Sequence, residues 1–125
     1  MIETGIDLVD ILRIEKSINT YGRSFIEKIF HPLEIDYCKD KKHKFEHFSV
    51  RFAAKEAARK VLLSRLSFNP GWTETYIINE NDGKPTLKLS ERILENVQIH
   101  HTSVSLSHTR TLAIASVIIE FGDQS

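Results

Sequence analysis

This sequence of 125 residues has a single cysteine, a formal net charge of zero and no long apolar run. Cys38 is the only cysteine, so the chain can form neither an internal disulfide nor a multi-cysteine zinc site, and we expect a reducing, cytoplasmic location. Seventeen Lys and Arg residues balance seventeen Asp and Glu residues, so the bulk positive charge that drives non-specific nucleic-acid binding is absent. The longest apolar stretch, residues 112–119, is far too short to span a bilayer, and residues 1–10 lack a signal-peptide pattern. We therefore expect neither a nucleic-acid partner nor a membrane partner.

An apolar content of 41% is enough for one sizeable core, and residues 1–125 are predicted to form a single domain. The clearest periodic signal lies in residues 49–63, where small and apolar residues recur at helical spacing. This pattern predicts a central helix that can lie close to its packing partner. Short helices beside antiparallel hairpins indicate an α+β fold, with mixed helices packed on an antiparallel sheet. Strands are predicted over residues 2–9, 75–79, 86–89, 101–107 and 111–121.

Helix starts are indicated by capping residues placed before apolar periodic stretches. Ser24 stands three residues before Glu27, which is the spacing of a capping box. His31 precedes a proline, the residue favoured at the first position of a helix. The polar run over residues 39–44 predicts an exposed loop. The predicted cap residues are Asp10, Ser24, His31 and Ser90.

Three acidic and basic residues suggest a site. Glu56 and Lys60 lie one helical turn apart and project from one flank of the central helix, either as a solvated ion pair or as a pair facing a cleft. Asp7 favours the cleft, because aspartate is depleted in strands and is costly to bury unpaired. The alternative is that Asp7 lies at a strand end and caps the next helix. Two carboxylates, Asp7 and Glu56, are what a catalytic Mg²⁺ usually receives from a protein.

Several cations lie near the predicted ends of secondary-structure elements. Arg51 stands at the predicted start of the central helix, where a positive charge opposes the helix dipole and favours a nearby anion. His108 follows a predicted strand and is either a structural hydrogen-bonding residue or part of a site. Lys42 and Lys44 belong to the predicted polar loop, which is either merely solvated or available to a phosphate.

Four short motifs occur in order along the chain: Gly5-Ile6-Asp7 with Arg13, residues 51–57, Gly83-Lys84-Pro85, and residues 104–109. Together they resemble the holo-acyl-carrier-protein synthases, the small stand-alone branch of the 4′-phosphopantetheinyl transferases. The resemblance runs nearly end to end and implies an α+β domain of that type, assembled as a homotrimer with active sites between neighbouring subunits. It also implies Mg²⁺-dependent transfer of 4′-phosphopantetheine from coenzyme A to a serine of an acyl carrier protein, with release of adenosine 3′,5′-bisphosphate.

Carried over by motif, the resemblance implies that Asp7 and Glu56 bind the metal and that Glu56 and Lys60 are catalytic. Lys60 would neutralise the attacked phosphate, while Glu56 or a metal-bound water would take the serine proton. The residues implied to bind coenzyme A are Arg51, His108, Lys60, Lys42, Lys44 and Thr109. Those implied to dock the acidic carrier protein are Arg13, Arg23 and Lys28.

One segment departs from the family's pattern. Residues 63–66 read Leu-Ser-Arg-Leu, where the family commonly has a glycine-rich segment near the cofactor. Glycine permits a close backbone approach that Leu63 and Arg65 do not readily supply. The departure motivates an alternative hypothesis, a diverged relative that binds coenzyme A or a carrier protein without turnover. A metal-dependent nucleotide hydrolase is a third hypothesis, because the same groups around a pyrophosphate would suit attack by water.

Overall fold

Five α-helices, one 3₁₀ turn and five strands form in residues 1–122, the part of the chain that the computed structural model describes. Residues 123–125 of the predicted single domain lie outside the described residues. The strands are β1 (Ile2–Asp10), β2 (Thr75–Asn79), β3 (Pro85–Leu89), β4 (Ile99–His108) and β5 (Leu112–Phe121). The helices are α1 (Ile11–Tyr21), α2 (Arg23–Ile29), α3 (Pro32–Cys38), α4 (Lys44–Leu63) and α5 (Glu91–Asn96), and the 3₁₀ turn is Trp72–Glu74.

The larger sheet has the strand order β1-β5-β4 and is antiparallel throughout. Alternate residues of β5 are buried because the strand places every second side chain on the face that meets α4. On that face, the central core joins α4 to the smaller β2-β3 hairpin and to α5. The predicted α+β class and antiparallel sheet are therefore confirmed.

Helix α4 packs very closely on the sheet at Gly5 of β1. A Cβ atom at this position would lie 2.5 Å from the carbonyl oxygen of Ala57 and 2.8 Å from a methyl group of Val61. The small residues of α4 make this approach possible, since Ala57 and Ala58 are completely buried without adding bulk. Gly5 therefore sets the distance between α4 and the strand that carries Asp7.

A buried ion pair joins α3, α4 and β2. Lys55 donates to Glu34 at 2.7 Å, and both side chains are fully buried. Glu34 also accepts the backbone N–H groups of Ile77 at 2.9 Å and His31 at 3.0 Å. Lys55 donates further to the carbonyl oxygen of Thr75. Burial lowers the pKa of Lys55, while the negative charge of Glu34 and its hydrogen bond oppose that shift.

Most of the predicted helix caps are confirmed, but Ser24 is not a cap. Asp10 accepts from Leu12 N at 3.0 Å, and His31 forms a capping box with Glu34. Helix α2 begins two residues earlier than a cap at Ser24 predicts, after Gly22 at φ 58°, a conformation that glycine readily adopts. The Ser24 hydroxyl donates back to Tyr21 O instead of capping the helix.

The central helix is longer than its alanine pattern predicted, because Phe45 and Phe48 extend the buried face towards the N-terminus. Two placements were therefore wrong. Lys44 is the first residue of α4 instead of a loop residue, and Arg51 lies in the helix interior instead of at its start.

Candidate active site

Asp7 and Glu56 line the same cavity, which has a volume of about 390 Å³. Asp7 lies midway along β1, opposite Ala115 of β5, and Glu56 projects from α4, which packs on β1. Phe25 and Phe52 provide an apolar wall, and Arg13 adds a positive charge at the rim. The predicted pairing of the two carboxylates is therefore present in the structure, and Asp7 is not the cap of α1, since Asp10 performs that role.

Lys60 lies beside Asp7. Its Nζ donates to Asp7 Oδ1 at 2.8 Å and to the carbonyl oxygen of Ile6 at 3.3 Å. The hydrogen bond from Lys60 to Asp7 and the charge of that carboxylate raise the pKa of Lys60, so the ammonium form is favoured. With 57% of its side chain exposed, Lys60 can also reach an anion arriving from solvent. The role of Lys60 towards a phosphate stays a prediction.

Glu56 has a cationic neighbour that the sequence interpretation missed. Arg59 Nη1 lies 3.7 Å from Glu56 Oε1. The Arg59 guanidinium carbon is 4.6 Å from the centre of the Trp72 ring, and Trp72 stacks on Phe52 at 5.3 Å. The three-residue spacing of Glu56 and Arg59 was visible in the sequence, but the position of Trp72 depends on how the 3₁₀ turn folds back onto α4.

The donor set fits a hard divalent cation. No group of three or more His, Cys, Asp or Glu side chains converges within residues 1–122, so a closed cage of the kind that holds structural zinc is absent from this part of the chain. Mg²⁺ does not need such a cage, because it is usually bound by one or two carboxylates together with water and substrate phosphates. Asp7 and Glu56, on one open cavity, supply that number of carboxylates.

A second group of predicted residues gathers where the β4–β5 turn meets the first turn of α4. His108 Nδ1 lies 3.8 Å from Glu46 Oε2. The Thr109 hydroxyl accepts the N–H groups of Thr111 at 3.2 Å and Leu112 at 3.0 Å, so it shapes the turn. Lys44 is exposed in the same first turn as Glu46, and Lys42 is exposed just before it. The fold thus brings together two segments that lie more than sixty residues apart in the sequence.

Arg51 has a different environment from the one expected. Only 2% of the residue is exposed, and its guanidinium donates to Asn79 Oδ1 and to the carbonyl oxygen of His47. It also lies over the Tyr37 ring at 4.3 Å. These contacts join α4 to β2 and α3, so Arg51 is a structural residue of this region, and the expected contact with a phosphate stays a prediction.

The residues expected to dock a carrier protein lie on α1 and α2. Arg13 of α1 lies at the cavity itself. Arg23 and Lys28 are exposed on α2, and Arg23 forms an ion pair with Glu27 at 3.0 Å. The basic side chains therefore extend from the cavity rim onto the neighbouring surface, and binding of a partner there stays a prediction.

Comparison with known proteins identifies the family. Residues 3–117 match the family model described as the 4′-phosphopantetheinyl transferase superfamily. The holo-[acyl-carrier-protein] synthase of Solibacter usitatus is 38% identical over 96% of this chain and 98% of its own length. That of Geobacter sp. is also 38% identical, over 94% of this chain and 96% of its own.

Solved structures agree with this assignment. The holo-[acyl-carrier-protein] synthase of Helicobacter pylori, in complex with coenzyme A, superposes with a TM-score of 0.84 at 32% identity, covering 94% of this chain and 100% of that one. The Bacillus anthracis protein, described as a complex with coenzyme A (3′,5′-ADP), gives a TM-score of 0.77 at 30% identity, covering 95% of this chain and 96% of that one. The match extends over nearly the whole chain in sequence and in structure, and this chain belongs to the holo-[acyl-carrier-protein] synthases of the 4′-phosphopantetheinyl transferase superfamily.

Proposed function

We propose that this chain transfers 4′-phosphopantetheine from coenzyme A to a serine of apo acyl carrier protein, with Mg²⁺ held by Asp7 and Glu56. The observation that carries the proposal is the single cavity that both carboxylates line, with Lys60 hydrogen-bonded to Asp7. The relatives support the substrates, since they are named for the carrier-protein reaction and two were solved with coenzyme A.

In the proposed reaction, the serine oxygen forms a bond to the phosphorus that carries pantetheine. The bond between that phosphorus and the bridging oxygen of the pyrophosphate breaks, and adenosine 3′,5′-bisphosphate leaves with the electron pair. A bound Mg²⁺ would supply electrostatic stabilisation of the charge that builds on the phosphate oxygens. Lys60, kept in its ammonium form by Asp7, neutralises the attacked phosphate. Glu56, one-third exposed on the cavity, is the candidate acceptor of the serine proton.

The nucleotide end of coenzyme A is assigned to the group at the start of α4. Lys42 and Lys44 are exposed and supply positive charge, and His108 and Thr109 lie on the adjoining β4–β5 turn. Arg51 would contribute to phosphate binding only if its guanidinium left Asn79, so its main contribution in the proposal is to support this wall.

Carrier-protein docking is assigned to α1 and α2. Acyl carrier proteins are acidic, and Arg13, Arg23 and Lys28 supply a local positive surface on a chain whose formal net charge is zero. Because Arg13 lines the cavity, a carrier protein bound there would present its serine close to Asp7 and Glu56.

Assembly into a homotrimer is supported by the face of the larger sheet that α4 leaves uncovered. This outer sheet face exposes Ile2, Ile6 and Leu8 of β1 by 64%, 60% and 58%, together with Leu112 and Ile118 of β5. Several large apolar side chains exposed on one sheet face favour burial against another protein surface. Leu8 also lines the cavity, so a neighbouring copy on this face would lie at the edge of the proposed active site.

Isosteric substitutions test the proposed metal ligands. Asp7→Asn and Glu56→Gln remove one negative charge each with little change in volume, and each is expected to abolish release of adenosine 3′,5′-bisphosphate from coenzyme A and apo carrier protein. Glu95→Gln, an exposed position on α5, is the control and is expected to keep full activity. Circular dichroism checks that all three variants are folded. Full activity in Asp7→Asn or Glu56→Gln would refute the metal assignment.

The binding-without-turnover alternative has one structural observation in its favour. Arg65, in the segment where the family commonly has glycine, is held by Glu3 at 2.7 Å and lies over Phe121. An arginine fixed in this way restricts the backbone conformations that residues 63–66 can adopt. Calorimetry that shows tight coenzyme A binding, with no modification of any carrier protein, would favour this alternative over transfer.

A further inference from the structure

Arg59 is the one charged side chain in contact with Glu56 among the described residues. The separation of 3.7 Å between Arg59 Nη1 and Glu56 Oε1 is too long for a hydrogen bond, so the attraction is Coulombic and leaves the carboxylate lone pairs free for another ligand. This contact differs from that of the other proposed ligand, since Asp7 accepts a 2.8 Å hydrogen bond from Lys60.

An aromatic stack holds Arg59 in place. Its guanidinium carbon lies 4.6 Å from the Trp72 ring centre, and Trp72 is itself stacked on Phe52, a wall of the cavity. The Arg59 side chain is only 23% exposed, and its Nε is buried with no hydrogen-bond partner within residues 1–122. Stacking and charge, not a hydrogen-bond network, therefore determine where the guanidinium lies.

Each of the two proposed metal ligands thus has a neighbouring cation. Both cations lie on α4, one turn after Glu56. Lys60 accompanies Asp7, and Arg59 accompanies Glu56. A divalent cation that binds the two carboxylates must compete with both positive charges. Lys60 is exposed and can turn towards an incoming phosphate, but Arg59 is stacked and half-enclosed, so its charge stays close to Glu56.

We propose that Arg59 is a positioning residue for Glu56: its fixed guanidinium holds the Glu56 carboxylate at the cavity. The positive charge of Arg59 also limits the affinity of the site for divalent cations. The proposal rests on the metal site of the proposed function. In this proposal, the stack of Arg59, Trp72 and Phe52 controls the metal affinity of the site, although none of the three side chains contacts the metal.

Titration with Mn²⁺, followed by the electron paramagnetic resonance signal of the free ion, tests the proposal without any turnover. Arg59→Met and Arg59→Gln remove the charge but keep an aliphatic stem against Trp72, and Arg59→Lys keeps the charge. The matched control is Arg65→Met, because Arg65 also pairs with a glutamate, also lies over an aromatic ring and has a similar side-chain exposure of 22%. Thermal unfolding of each variant checks that it is folded.

We expect Arg59→Met and Arg59→Gln to bind Mn²⁺ about fivefold more tightly, the effect of removing one charge near the site at high effective dielectric. Arg59→Lys and Arg65→Met are expected to bind as the unmodified chain does. Unchanged or weaker binding in both neutral variants, or an equal gain in Arg65→Met, would overturn the role of Arg59. Absence of Mn²⁺ binding by the unmodified chain, or undiminished binding by Glu56→Gln, would overturn the metal site itself and the Arg59 role with it.

Trp72 provides a second readout, since it is the only tryptophan in the chain. A divalent cation at Glu56 would offset the negative charge beside Arg59 and so change the electrostatic field at the Trp72 ring, on which the guanidinium stays stacked. We therefore expect the emission of the unmodified chain to change saturably with Mg²⁺ and that of Glu56→Gln to stay constant. Emission that does not respond to bound Mg²⁺ in the unmodified chain would contradict the coupling between Arg59 and the metal.

Discussion

At the residue scale, the position of Asp7 depends on the close packing at Gly5 of the same strand. Asp7 could be recognised from the sequence because an aspartate within a strand needs a special environment, and Lys60 and the cavity provide it. The reason for Gly5 could not be recognised in the same way. It depends on how closely α4 crosses β1, and this distance exists only after helix and sheet have packed.

Gly5→Ala tests this dependence. The added methyl group would lie 2.5 Å from the backbone oxygen of Ala57, so either β1 or α4 must shift. We expect a loss of about 1–3 kcal/mol in the free energy of unfolding, typical of overpacking a core, together with a weaker response to Mg²⁺ because Asp7 moves relative to Glu56. Urea denaturation and Mg²⁺-dependent activity measure the two effects. Gly71→Ala, where a Cβ would meet only the Glu74 side chain at 3.6 Å, is the control. An unchanged unfolding free energy in Gly5→Ala would show that the close packing at this position can relax at no cost.

At the scale of elements, the alanine stripe of α4 predicted the helix that carries Glu56 and Lys60. The predicted start of the helix was wrong by five residues. The buried face continues towards the N-terminus with the aromatic residues Phe45 and Phe48, which do not belong to the alanine pattern. That error explains why Arg51 was placed at the start of the helix, whereas its guanidinium donates to the His47 carbonyl oxygen and to Asn79 inside the fold.

The Glu34–Lys55 pair lies between three elements and is expected to be the most sensitive polar contact of the core. Glu34→Gln leaves Lys55 buried without a counter-charge, which costs about 3–5 kcal/mol of unfolding free energy. Glu27→Gln removes the carboxylate of an exposed pair and is expected to cost less than about 1 kcal/mol.

The same variant makes a prediction about pH. Burial lowers the pKa of Lys55 in the folded chain below its ordinary value, and loss of Glu34 removes the charge that opposes this shift. Between the folded and unfolded pKa values of Lys55, the unfolded state binds more protons, so the stability of Glu34→Gln should rise with increasing pH. Denaturant titrations across neutral and alkaline pH measure this slope. Stability of the variant that is flat or falls with pH would contradict the claim that burial lowers the pKa of Lys55 in the folded chain.

At the scale of the whole molecule, the order of four motifs identified the family, and the fold agrees with it over nearly the full chain. The assembly could not be predicted from residue pattern alone, because β1 and β5 carry apolar residues on both faces. Only the register of β1 against β5 shows which of them face away from α4. None of the helices within residues 1–122 combines the length and the hydropathy needed to cross a membrane.

Light scattering tests the proposed trimer. We expect the unmodified chain to have three times the mass of one copy, and Ile118→Lys, which places a charge on the outer sheet face, to shift the population towards monomer. Leu94→Lys is the control, since Leu94 is 51% exposed on α5, away from that face. A monomeric unmodified chain would refute the trimer.

The most direct test of the central claim is the intact mass of an apo acyl carrier protein after incubation with this chain and coenzyme A, with and without Mg²⁺. The account predicts a gain of one phosphopantetheine on the carrier when Mg²⁺ is present and no gain after chelation of the metal. A carrier mass that stays unchanged with Mg²⁺, across several carrier proteins, would contradict the proposal that Asp7, Glu56 and Lys60 form a transferase centre.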